Sequence, residues 1–135
     1  MNDDKRYLVV AADRTKGRIF TIFLGGFEDQ GEFIKDNVHQ KIKADNGRQG
    51  KVDRWVRGEL IKHLKHVGEE AKKYMDKKTG EPIDGGIVIG GHRELLGDIL
   101  QALPSNLQKL VVGRFVAEPD RSLGELTELA KKAVS

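Results

Sequence analysis

Apolar and polar positions follow two rhythms along this chain. From Tyr7 to Ala12 the run YLVVAA is almost wholly apolar and β-prone, too short for a helix, and it reads as a strand buried on both faces near the centre of a sheet. Asp13-Arg14-Thr15-Lys16-Gly17 is turn chemistry. Arg18 to Leu24 (RIFTIFL) resumes strand composition, with Ile19, Thr21 and Phe23 on one face and Phe20, Ile22 and Leu24 on the other, so the two runs predict a hairpin. A third strand is expected around Gly31 to Lys35, with Phe33 and Ile34 as its apolar members. The rhythm then changes. Val52, Trp55, Val56, Leu60, Leu64, Val67, Ala71, Tyr74 and Met75 recur at three- and four-residue spacing, which predicts a long amphipathic helix over 52–77 that Gly80 and Pro82 terminate. Beyond it lie a strand at Gly85 to Gly90, a helix from Glu94 to Leu103 ending before Pro104, a strand from Lys109 to Ala117, and a helix from Ser122 to Ala133. Ser122 and Glu125 form a capping-box pattern at the start of the last helix.

The order βββαβαβα predicts an α/β fold: a mixed five-stranded sheet with helices on both faces, the arrangement of ribonuclease-H-like domains. At 135 residues the chain is expected to form one domain spanning 1–135. With no cysteine it has no disulfide scaffold, thiolate metal site or cysteine nucleophile. It has no apolar run near the roughly 18 residues of a spanning helix, and its start, MNDDKRYLVVAAD, lacks the pattern of a signal peptide. A cytoplasmic protein without membrane contact is expected.

Charge sharpens the picture through its position. The net charge is only +3, but residues 35–78 hold 13 Lys and Arg against 7 Asp and Glu, while the remainder is slightly acidic. Such a segment suits phosphate, and it also suits a solvated helix face. Residues 36–51, ahead of the helix, are nearly devoid of large apolar side chains, and a loop of that length is commonly functional. Loop 36–51 and helix 52–77 therefore form the expected functional region. In the loop, Gly47 and Gly50 flank Arg48 and Gln49 and let a large partner approach the main chain closely. Glutamine does not titrate, so it is no general base. It can orient a water, or offer its backbone N–H to a developing oxyanion.

These features together resemble the central domain of the archaeal and eukaryotic class I peptide-chain release factors and of their bacterial and Vms-type ribosome-rescue relatives. The matching segments are YLVVAAD, the return GRIFTIFL, the tripeptide Gly47-Arg48-Gln49 in a basic loop, the helix DRWVRGELIKHLKH, GGIVIGGHRELL, and KLVVGRFVA. The resemblance spans nearly the whole chain. It implies translation termination or ribosome rescue: hydrolysis of the peptidyl-tRNA ester at the ribosomal peptidyl-transferase centre, with Gln49 positioning the water, Gly47 giving room and Arg48 between them. It implies the ribosome and the 3′ end of peptidyl-tRNA as partners, with further domains or partner proteins beside this chain. Lys41, Lys43, Lys51, Arg54, Arg57 and Lys65 would bind RNA, and no cofactor or metal is required. Two departures stand out. Arg48 occupies the position of the family's middle Gly, and Gly50-Lys51-Val52-Asp53 separates Gln49 from Arg54-Trp55.

Two other classes remain open: a catalytically silent RNA- or ribosome-binding module, and a metal-dependent nuclease on the same fold using Asp13. The nuclease needs several converging carboxylates, and Asp13 reads rather as a turn residue. His63 and His66, three apart, are expected to be solvent-exposed on the basic helix, Trp55 to be core, and Gly90-Gly91-His92-Arg93 to form a left-handed structural turn.

Overall fold

Strand β1 (Tyr7–Ala12) is buried at all six positions, and the sheet is laid out around it. The computed structural model describes residues 5–23, 25–28, 30–37, 49–77 and 83–135, with the helical backbone alone at 49–53. On one side β1 pairs antiparallel with β2 (Lys16–Phe23), Val9 opposite Phe20. On the other it pairs parallel with β5 (Gly86–Gly91), which pairs parallel with the edge strand β6 (Val111–Val116). The far edge of β2 carries two short strands, β3 (Gly26–Phe27) and β4 (Glu32–Lys35). The helices are α1 (Gln49–Lys77), α2 (Leu96–Ala102) entered through a 3₁₀ turn at Arg93–Leu95, α3 (Ser105–Gln108) and α4 (Leu123–Val134).

Alternation along the strands sorts side chains into two cores. Leu8, Val10, Ile19, Ile87 and Ile89 face α1 and α2, packing on Leu60, Leu64, Val67 and Ile99. Val9, Phe20, Ile22, Val88 and Phe115 face α4 and meet Leu126 and Ala130. Both faces of β1 and β5 are thus covered, as their unbroken apolar runs require. The predicted α/β fold, a mixed sheet with helices on both faces, is the one observed.

The differences in detail have local causes. Among the described residues the sheet has six strands, because β3 precedes the expected third strand on the same edge. Ile22 pairs with Phe27 but Ile19 with Glu32, so two extra residues are accommodated between β3 and β4. Gly31 takes up the bulge at φ +67°. Helix α1 begins at Gln49, taking 49–51 from the expected loop. Pro104 precedes a further helical turn, α3, and the last strand starts at Val111 instead of Lys109. Ser122 caps α4 as expected, accepting from the Glu125 N–H.

Gly31→Ala tests the bulge. A Cβ there would lie 1.9 Å from the Ile19 carbonyl oxygen, on a backbone that side-chain-bearing residues disfavour. Equilibrium urea unfolding should show a loss of about 3 kcal/mol with an unchanged m-value.

Candidate functional site

Helix α1 is partly a core element and partly an arm. Its 29 residues span about 43 Å at the usual rise. Leu60, His63, Leu64, Val67, Ala71 and Tyr74 are buried against the sheet and α2, at the spacing of one helical face. From Arg54 to Glu59 no residue is buried. Residues 54–59 therefore stand off the core, and the Gln49 backbone lies about 16 Å along the axis beyond Leu60. This overturns the expectation for Trp55. At about 100° per residue it lies about 130° around the helix from the centre of the buried stripe, which Val56 continues, and it is 42% exposed.

The opening turn of α1 carries no acidic residue. The first N–H groups of a helix have no acceptor within it, and its N-terminal end bears a partial positive charge. Gln49 and Lys51 open this helix, and of them only the backbone is described. Gly47, Arg48, Lys41 and Lys43 lie outside the described residues. Arg54 and Lys65 are exposed on the arm and the shaft respectively. Arg57 is exposed too, but its guanidinium donates to both oxygens of Asp98 on α2, at 3.0 and 3.4 Å. Part of its charge is thereby neutralised. Arg57, Lys65 and Asp98 line a groove of about 160 Å³ between α1 and α2.

Where the arm leaves the sheet, sequence reasoning missed a cluster. His63 is buried, with a fully covered side chain, rather than exposed. Its Nδ1 lies 2.5 Å from Asp36 Oδ2, and its Nε2 lies 3.1 and 3.2 Å from the carbonyl oxygens of Asp13 and Lys16. His66, one turn on and partly exposed, places Nδ1 at 2.9 and 3.0 Å from the same carboxylate. Asp36 directly follows β4, and its backbone N–H donates to the Thr15 carbonyl at 2.7 Å. With Asn37, Glu59 and Lys62 these side chains line an open cleft of about 280 Å³. Partial burial of Asp36 favours its neutral form, but the hydrogen bonds from His63 and then His66 outweigh it, so its carboxyl is held below the ordinary value of 3.8. The spacing of His63 from Leu60 and Val67 was the available signal that it faces inward.

The remaining candidates are structural. Asp13 Oδ1 accepts from the backbone N–H groups of Thr15 and Lys16, the turn role expected of it. Among the described residues no group of three or more His, Asp or Glu forms a metal-binding constellation. Gly90 and Gly91 do not make a left-handed turn: they end β5, and Gly90 is required because a Cβ would fall 2.3 Å from the Phe115 ring.

Comparison with known proteins decides among the fold-level possibilities. The model of the bacterial archaeo-eukaryotic release factor family 10 matches residues 1–134. The chain belongs to this family. Its structure superposes on the crystal structure of an archaeal translation termination factor, aRF1, with a TM-score of 0.71, 16% identity, and coverage of 98% of this chain but 36% of that one. A second archaeal protein gives 0.67, again at 16% identity, with 98% and 35% covered. The chain therefore spans about a third of the length of these solved relatives, as an aRF1-like domain. No curated protein matches by sequence. Among the described residues no helix is long and apolar enough to cross a membrane.

The Asp36 cluster of this release-factor domain has a testable pH signature. A carboxyl whose folded value is depressed stabilises the fold above its unfolded value, and that contribution is lost as pH falls through the folded one. Asp36→Asn should lower stability by about 2 kcal/mol near pH 6. In thermal melts the gap between wild type and variant should close as pH falls below the ordinary value of 3.8.

Proposed function

We propose that this domain promotes hydrolysis of the ester joining the nascent peptide to tRNA at the ribosomal peptidyl-transferase centre, in termination or ribosome rescue in the cytoplasm. The observation that supports the reading is that the long basic helix α1 begins at the glutamine of the Gly-x-Gln tripeptide, in a chain of the release-factor family. A catalytic group on the end of such an arm can enter a narrow RNA-walled site while the sheet stays outside. The ester needs little activation. Water attacks the carbonyl carbon, the acyl C–O bond breaks, and the ribose oxygen leaves and takes up a proton. Gln49 orients the water with its side chain, and its backbone N–H, unclaimed by the helix, stabilises the charge that develops on oxygen. Nothing in that step calls for a metal or organic cofactor. Lys41, Lys43, Arg48, Lys51, Arg54 and Lys65 supply phosphate contacts, with Arg57 contributing less because of Asp98. The exposed Trp55 is placed to stack on a nucleobase. Further domains or partner proteins would recruit the domain to its ribosome.

Arg48, in place of the family's middle Gly, favours a second reading in which the arm docks on the ribosome without catalysis. Purified protein added to stalled ribosome–nascent-chain complexes separates the two. The hydrolytic reading expects peptide release that falls at least a hundredfold in Gln49→Ala, a loss typical of removing a positioned polar group. Equal release by both proteins, or none by either, rejects it, and salt-sensitive binding without release supports the docking module. In the same system the double variant Arg54→Ala/Lys65→Ala should weaken ribosome binding and lower the slope of log affinity against log salt by roughly 1.5.

A further inference from the structure

His63 occupies the turn of α1 at which the helix stops being buried and becomes the arm, one turn past Leu60. Its ring is fully covered, and both of its nitrogens face oxygen: Asp36 Oδ2 on one side, the Asp13 and Lys16 carbonyls on the other. All three are acceptors, so the ring is held in orientation from both edges by oxygens that belong to other parts of the chain. Three elements meet on this one side chain: the β1–β2 turn, the end of β4, and α1. Packing alone does not call for it, since a leucine would fill such a position without the cost of burying polar ring nitrogens. What hydrogen bonds add to packing is direction. Gln49 lies fourteen residues from His63, about 21 Å, so a tilt of about 10° at this point displaces it by roughly 4 Å. Catalysis by positioning is sensitive to shifts of about 1 Å.

Resting on the reading that Gln49 works at the tip of α1, we propose that His63 and Asp36 form the fulcrum that fixes the direction of the arm, and are positioning residues for Gln49. His66, bonded to the same carboxylate from the more exposed side, holds Asp36 in place. Glu59 and Lys62 border the cluster from α1, and Asn37 borders it from the segment after β4.

The absence of cysteine makes a direct test clean. Gly58→Cys on the arm and Gly124→Cys on α4 take nitroxide labels where an added Cβ meets nothing within 4 Å. Pulsed dipolar spectroscopy should give one narrow distance in the otherwise wild-type protein. Asp36→Asn, and separately His63→Gln, should shift or broaden it by about 1 Å, the displacement that a tilt of about 10° gives five residues from the fulcrum, and His66→Gln should do so by less. The same Asp36→Asn protein, without labels, should bind ribosomes within about twofold of wild type yet release peptide about tenfold more slowly per bound ribosome. Unchanged distances in variants with wild-type circular dichroism overturn the proposal, as do altered distances with undiminished release. Should His63→Gln fail to fold, Asp36→Asn, whose side chain is only partly buried, decides alone. A wild-type protein that releases nothing sinks the hydrolytic reading instead, and the distances still decide whether the pair aims the arm.

Discussion

One helix has to be both wall and lever, and that double duty organises the molecule. Helix α1 covers one face of the sheet through Leu60, Leu64, Val67, Ala71 and Tyr74, each of the larger apolar side chains contributing about 2 kcal/mol by leaving water. That burial anchors its shaft. Among the described residues none from Arg54 to Glu59 is buried, so the direction of this part of the helix depends on what fixes it where it departs from the core. The buried His63–Asp36 contact lies at that point, and α2 braces the other flank through Arg57 and Asp98. The covered strands β1 and β5 supply the rigid base against which any of this has meaning.

Much of the fold was legible because burial leaves a strong periodic trace. The unbroken run YLVVAA announced a central strand, the alternation in RIFTIFL announced both core faces, and the spacing from Leu60 to Tyr74 announced a helix on the sheet. What escaped notice depends on contacts between residues far apart in sequence. Strand β3 is two residues long and exists because β2 offers a free edge and Gly31 absorbs the offset. Trp55 is exposed because it lies about 130° around α1 from the buried face, so three- and four-residue spacing to its nearest apolar neighbours did not place it on that face. Likewise His63 was on the inward stripe all along, but its partner Asp36 is 27 residues away across the chain, and only the folded sheet brings them together. The candidate site divides in the same way. Its glutamine and basic residues are proposed from their local context and the family resemblance, while the Arg57–Asp98 pair needed the distance between two helices.

The chemistry proposed here is modest in what it asks of the protein. A neutral glutamine, the unclaimed N–H groups at a helix N-terminus, and a concentration of Lys and Arg around them amount to positioning and charge stabilisation without a titrating group of the protein's own. Such a device depends on where its tip is held, which is why geometry tens of ångströms from the ester bears on rate. On this proposal a domain whose basic character is confined to one segment would supply only part of the reacting site, RNA supplying the rest.

The most direct measurement is a structure of the protein bound to a stalled ribosome carrying intact peptidyl-tRNA. The account predicts the N-terminal end of α1 inside the peptidyl-transferase centre, with the Gln49 backbone nitrogen about 3 Å from an oxygen of the ester. A domain docked on the ribosome with Gln49 remote from the ester would contradict it.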